Sequence, residues 1–159
     1  MSKNIVLKKA TFEDIQILWE IRNDPKVKEN FFDTSSVSFE EHKRWFIDKM
    51  GEENTEIYIA EDNGVKIGSV RFEDSEGVAS GVSSVSISID SNFFGKGYGS
   101  EMIKLGTEIF LKVHKKNKIV ARIKKDNIAS QKVFEKAGYT RVSKKENEII
   151  YEKQRNNHS

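Results

Sequence analysis

The stretch Phe94-Gly95-Lys96-Gly97-Tyr98-Gly99 constrains this chain more than any other, because its three alternate glycines stand between a β-patterned run and a long apolar-striped run. Ahead of it, Ser84 to Ile89 alternates Ser with Val or Ile, the period-two pattern of a half-buried strand. Behind it, Met102, Ile103, Leu105, Ile109, Phe110 and Val113 recur at helical spacing. Strand, glycine turn and helix form one unit. Glycine tolerates the tight curl such a turn needs, and the curl aims several N–H groups at one point. The helix N-terminus behind adds partial positive charge, so Phe94 to Ser100 reads as a cradle for phosphate oxygens, with Lys96 adding screened charge. A tight structural turn without a ligand is the competing reading.

Spacing excludes two familiar phosphate loops. A dinucleotide fingerprint wants glycine at 95, 97 and 100, but position 100 is Ser, and repeated βαβ units are missing around it. A P-loop wants Gly-Lys followed by Ser or Thr, whereas Lys96 is followed by Gly97.

The remaining pattern predicts a mixed order of elements. Ile5 to Lys8 is a short strand; Thr11 to Asp14 opens a helix carrying Ile15, Leu18, Trp19 and Arg22, stopped at Asn23-Asp24-Pro25. Ser38 with Glu41 caps a second helix holding His42, Trp45, Phe46 and Met50, after a loop with Phe31 and Phe32. Glu56 to Glu61 and Val65 to Phe72 read as a hairpin through Asn63-Gly64. A strand at Lys118 to Ile123, a helix at Asn127 to Lys136 stopped by Gly138, and strands near Tyr139 to Ser143 and Glu148 to Glu152 complete the set. Residues 1–153 are expected to form one domain and 154–159 a frayed tail, with a mobile Gly- and Ser-rich loop at Asp74 to Ser83.

Composition limits the partners. The 27 basic and 25 acidic residues nearly cancel, and apart from Lys112, His114, Lys115, Lys116 and Lys118 the basic residues are scattered, so no nucleic-acid stripe is evident. With no cysteine, a thiol nucleophile and cysteine-ligated zinc are excluded. No metal site is expected. No segment approaches the ~20 apolar residues of a membrane span, and the N-terminal run is too short for a signal peptide, so the expectation is cytoplasmic, without a membrane partner.

Two motifs in order give a resemblance to the GNAT superfamily of N-acetyltransferases. Its acyl-CoA loop, Gln/Arg-x-x-Gly-x-Gly/Ala between a strand and a long helix, is matched by Gly97 and Gly99, with Phe94 where Gln or Arg is usual. Its second signature, Asn-x-x-Ala/Ser-x-x-x-Tyr-Glu-Lys-x-Gly-Phe, is matched by Asn127, Ser130, Glu135, Lys136, Gly138 and Tyr139. The order of elements from about residue 4 to 153 is similar too. The resemblance implies an α/β (α+β) fold: a central, mainly antiparallel seven-stranded sheet splayed at its middle and flanked by about four helices. It implies acetyl-CoA as cofactor, held by main chain at Ile87, Ser88 and Ile89, by the loop Phe94, Gly95, Lys96, Gly97, Tyr98, Gly99 and Ser100, and by Asn127, Ser130 and Phe134. Helix capping is the plain alternative for Asn127, and solvent exposure for Ser130.

Direct acyl transfer needs a neutral amine beside the thioester and a proton for the leaving thiolate. Many relatives place a Tyr hydroxyl where this chain has Phe134, and phenylalanine donates no proton. Ser130 and Ser88 are the stand-ins for the acid, and Glu73, with Asp90, is the nearest carboxylate for a base, surface charge being the plain reading of both.

Trp19, Arg22-Asn23-Asp24-Pro25, His42 and Trp45-Phe46 resemble the branch that acetylates nucleotide-linked 4-amino-sugars. Arg22 suits a phosphate, and Phe32 or Trp45 a nucleobase, with His42 beside them; Trp19 on its apolar stripe reads as core. Arg22 can equally pair with Asp24 or Glu20. Peptide N-acetylation and a silent acyl-CoA sensor are the alternatives. A monomer or a homodimer is expected.

Overall fold

The computed structural model describes residues 3–75 and 81–155. Strands β1 (Ile5–Lys9), β2 (Glu56–Asp62), β3 (Val65–Asp74), β4 (Val82–Ile89), β5 (Lys118–Lys124), β6 (Thr140–Lys144) and β7 (Glu148–Gln154) form one sheet in the order β1-β2-β3-β4-β5-β7-β6. Among the described residues five α-helices accompany it: α1 (Ile15–Asn23), α2 (Pro25–Lys28), α3 (Phe39–Met50), α4 (Tyr98–Val113) and α5 (Ile128–Lys136). The sequence predicts the other helices but not α2, in which Pro25 ends one helix and supplies the first residue of the next. Of the two segments expected to be mobile, residues 76–80 of the 74–83 loop and 156–159 of the tail lie outside the described residues. Gln154, placed in the tail, belongs to β7, and the Arg155 side chain donates to the carbonyls of Leu111 and Lys116 at the end of α4.

Alternation along the central strands sorts side chains to two faces. Tyr58, Val70, Phe72 and Val85 meet Ile103 and Phe110 of α4, while Ile57 and Ile59 meet Ile15 and Leu18 of α1 and Phe46 of α3. Each fully buried aromatic or branched side chain contributes roughly 1.5–3 kcal/mol. The Asn63-Gly64 turn has φ of 51° and 84°, the positive pair that a two-residue hairpin requires.

The sheet is antiparallel except between β4 and β5, and there lies its break. Only Val82, Ser83 and Ser84 pair with β5, opposite Lys118, Ile119 and Val120, whereas β4 stays paired with β3 as far as Ile89. Beyond Ser84 the two parallel strands therefore part, and the β4 backbone edge facing β5 is left without a strand partner. None of the helices among the described residues is long and apolar enough to cross a membrane.

Candidate active site

The parted strands open a cleft of about 560 Å³, walled by Val85 to Ile89 of β4, Ala121 to Ile123 of β5, and the first turns of α4 and α5. Gly95 and Gly97 adopt φ of 72° and 82°, the left-handed region in which an L side chain is strained, and Gly97 leads directly into α4. Gly99 has another reason to lack a side chain: a Cβ there would lie 3.1 Å from both methyls of Val133 and 3.3 Å from Ile89. Glycines at 95 and 97 shape the loop, and the one at 99 lets α4, α5 and β4 close together. Loop N–H groups, the helix N-terminus and an unpaired strand edge suit a long ligand that is polar at one end and extended at the other.

Most residues assigned to this site by the sequence line the cleft: Ile87, Ser88, Ile89, Phe94, Gly95, Gly97, Tyr98, Gly99, Ser100, Asn127, Ser130 and Phe134. Lys96 does not. Its ammonium lies 5.7 Å from the Phe93 ring centre, outside the lining. Asn127 caps α5, its side-chain oxygen accepting from Ser130 N–H at 3.1 Å, so the plain reading of that residue describes its geometry. The Tyr98 hydroxyl donates to Asp62, tying the start of α4 to the β2–β3 hairpin, and the contact holds the Asp62 carboxyl below the usual range. Phe134 is buried edge-on against Tyr139 at 5.1 Å and brings no proton donor to the cleft.

A second pocket of about 540 Å³ lies on the opposite face, between α1, α3, β3 and β4. Phe31, Ser86, Ile87 and Ser88 line both cavities, so one short stretch of β4 is their common wall. Arg22, His42 and Trp45 line this pocket, as the sequence reading groups them, whereas Phe32 lines the first cleft instead. Glu73 lines neither. Its carboxylate accepts from Arg71 Nε at 2.8 Å and lies 3.6 Å from the Lys49 ammonium, so it stands behind a guanidinium that lines the second pocket, as that group's ion-pair partner.

Helix α1 spends its exposed face on the loop that roofs the second pocket. Trp19 Nε1–H and Asn23 Nδ2–H both donate to the Val37 carbonyl at 2.7 Å, and Val37 N–H returns a bond to Asn23. Arg22 donates to the carbonyls of Ser35 and Asp33 at 3.3 and 3.2 Å and lies over the Phe31 ring, pairing with neither Asp24 nor Glu20. Asp24 accepts from the Ser91 hydroxyl at 2.7 Å, linking this roof to the glycine loop of the first cleft. His42 is buried, stacked near Trp45 and Phe46, with Nε2 unpartnered; burial first, and the Arg22 charge second, push its pKa down. It is therefore a neutral imidazole at neutral pH.

Among the pocket residues that sequence reasoning did not assign, Phe31, Asp33, Glu41 and Ser86 included, Arg71 carries the most chemistry. The signal existed: with Val70 and Phe72 both apolar, the strand period turns Arg71 to the opposite face, beside Ser69.

The model of the acetyltransferase (GNAT) domain family matches residues 4–140. An uncharacterised protein of Methanocaldococcus jannaschii is 30% identical over 152 residues, covering 93% of this chain but 31% of that protein, so the chain spans about a third of the length of the curated relative it matches. A domain from Methanocaldococcus jannaschii, known from its crystal structure, has 28% identity and a TM-score of 0.79, covering 96% of this chain and 99% of that one. The Salmonella typhimurium protein yncA, a proposed acetyltransferase solved with its cofactor acetyl-CoA, has 18% identity and a TM-score of 0.81, over 98% and 96% of the two chains.

Proposed function

The chain belongs to the GNAT family of acetyl-CoA-dependent N-acetyltransferases, and from that premise we propose that it acetylates the primary amine of a nucleotide-linked amino-sugar by direct attack within a ternary complex. The observation that supports this is the common wall: two cavities from opposite faces of the sheet meet at Ser86, Ile87 and Ser88. A donor in one and an acceptor in the other would lie within a strand's breadth of each other, which suits direct transfer without a covalent enzyme intermediate, in a chain that has no cysteine.

The residues present fit acetyl-CoA. The left-handed Gly95 and Gly97 and the α4 N-terminus suit the pyrophosphate, and the free β4 edge past Ser84 suits the amide-bearing arm. Lys132 and Lys136, one turn apart on α5 and both lining the cleft, supply positive charge for a further phosphate. Bound there, acetyl-CoA supplies an activated thioester. The chain's part is to orient it, exclude water with Phe31 and Phe134, and leave Ser88 and Ser130 hydroxyls in the cleft as hydrogen-bond donors. A thiol of pKa roughly 8.5 leaves readily, so no strong acid is required.

On the acceptor side, aromatic Trp45 and Phe31 suit a base or sugar face, and the Arg71 guanidinium, which keeps N–H donors beyond those given to Glu73 and Ser86, suits an anionic group on the acceptor. Phe134 favours one second reading, an acyl-CoA sensor without turnover. Thiol release from acetyl-CoA against nucleotide-linked 4-amino-sugars, polyamines and N-terminal peptides, run beside calorimetric titration of acetyl-CoA, separates them. Turnover with the amino-sugar nucleotide is expected; binding without turnover on any amine would favour the sensor.

A further inference from the structure

Arg71 stands in the second pocket with its guanidinium gripped on two sides and its remaining edge unclaimed. Its Nε–H donates to Glu73 at 2.8 Å and an Nη2–H to the Ser86 hydroxyl at 3.3 Å, while its plane lies 4.8 Å from the centre of the Trp45 ring. A guanidinium carries five N–H donors, and the other three have no protein acceptor among the described residues. The pocket's other arginine is differently employed, since Arg22 closes the roof through the Ser35 and Asp33 carbonyls. Of the carboxylates lining the pocket, Asp33 accepts from the Ser35 hydroxyl and N–H, and neither it nor Glu41 forms an ion pair with Arg71.

We propose that Arg71 is the anion receptor of the acceptor pocket, so that the acceptor is a primary amine carrying a phosphate or carboxylate close to its nitrogen. This rests on the acetyl-transfer reading of the two cavities. The planar fork accepts such a group through two parallel hydrogen bonds, and Trp45, Glu73 and Ser86 already fix its orientation, so little side-chain freedom is lost on binding. Arg71 and Ser86 are direct cross-strand partners, and Ser86 to Ser88 is the common wall. The anion is thereby held within two strand residues, about 7 Å, of the site of transfer. A polycation would bring its ammonium groups against the same guanidinium.

Matched acceptors test this: a nucleotide-linked 4-amino-sugar against the free 4-amino-sugar for phosphate, and β-alanine against its methylamide for carboxylate. Equilibrium binding of each amine, thiol release from acetyl-CoA, and acetyl-CoA affinity are measured for the natural protein, R71Q and R71K, with thermal midpoints to check folding. The natural protein should favour the anionic member of one pair by about tenfold or more, and the pair concerned identifies the anion. R71Q should erase the preference by raising KM with kcat within about threefold and acetyl-CoA affinity unchanged; R71K should recover part of it. A natural protein indifferent to the anion, or a preference that survives in R71Q, would overturn the proposal. Failure of the natural protein to bind acetyl-CoA would instead sink the acetyl-transfer reading, and binding of the amine pairs would still decide the subsite.

Discussion

The two cavities share one strand but are made of different material. The first is built from backbone: two left-handed glycines, a helix end, and a strand edge exposed because β4 and β5 part after Ser84. The second is built from side chains that five separate segments contribute: Arg22 of α1, Phe31 of the loop after α2, His42 and Trp45 of α3, Arg71 of β3 and Ser86 of β4. A backbone site presents the same N–H groups whatever the neighbouring side chains are, and so suits a ligand common to many enzymes. A side-chain site can be rewritten residue by residue, which is where acceptor choice belongs.

Substitutions in the loop probe that contrast most strongly. Gly97→Val forces a β-branched residue into φ of 82°, a conformation costing L-residues about 1–2 kcal/mol, although a Cβ there would meet only the mobile end of Lys3. Acetyl-CoA affinity should fall by about 100-fold by calorimetry while the protein stays folded, because the damage is to the curl that aims the N–H groups. Gly99→Leu should act through packing. Its side chain would be driven into Val133 and Ile89, costing about 1–3 kcal/mol, visible as a lowered thermal midpoint. If Gly97→Val binds acetyl-CoA normally, the first cavity is not a backbone site.

This difference in material explains what the sequence made legible. All seven strands and the helices α1, α3, α4 and α5 could be read from periodicity and caps, and the first cavity from its glycine motif, because contiguous residues form each of them. The short α2 was hidden because Pro25 is as good a first helical residue as it is a helix stop. Glu73 was assigned for nearness along the chain, Phe32 for its aromatic face and Lys96 for its place in the glycine loop, whereas the fold pairs Glu73 with Arg71 and Lys49, sets Phe32 in the first cleft and lays Lys96 over Phe93. Arg71 was the reverse case, since only β3–β4 pairing brings it beside Ser86.

On the acceptor side, Arg22→Ala should release the loop at Asp33 to Val37 from one of its tethers. The acceptor KM should rise by about tenfold, with acetyl-CoA affinity unchanged, since Trp19 and Asn23 still hold Val37. Steady-state kinetics with each substrate varied in turn gives both numbers, and equal losses would show that the cavities are not separable.

His42 offers a smaller effect, in stability and not rate. Its folded pKa lies below the ordinary value near 6.5, so as pH falls through that value the unfolded chain takes up the proton first. Stability is whole above about pH 6.5 and is lost as pH drops toward the folded pKa, below which the loss stops growing. The facing charge is Arg22, with Trp45 and Phe46 against the ring. His42→Phe keeps an aromatic ring there and removes the titration, so urea midpoints between pH 8 and 5 should lose this acid-side decline. An unchanged decline would assign it to other groups.

The smallest effect should come from the substitution that restores the family's usual side chain. Phe134→Tyr adds a hydroxyl to a ring that is 2% exposed and packed edge-on against Tyr139, at the inner wall of the first cavity. If positioning by backbone supplies most of the rate, and the thiolate leaves without strong acid assistance, kcat should stay within about threefold in single-turnover measurements. A rise well beyond that would mean proton donation limits turnover here, and that a side chain sets the rate even in the cavity built from backbone.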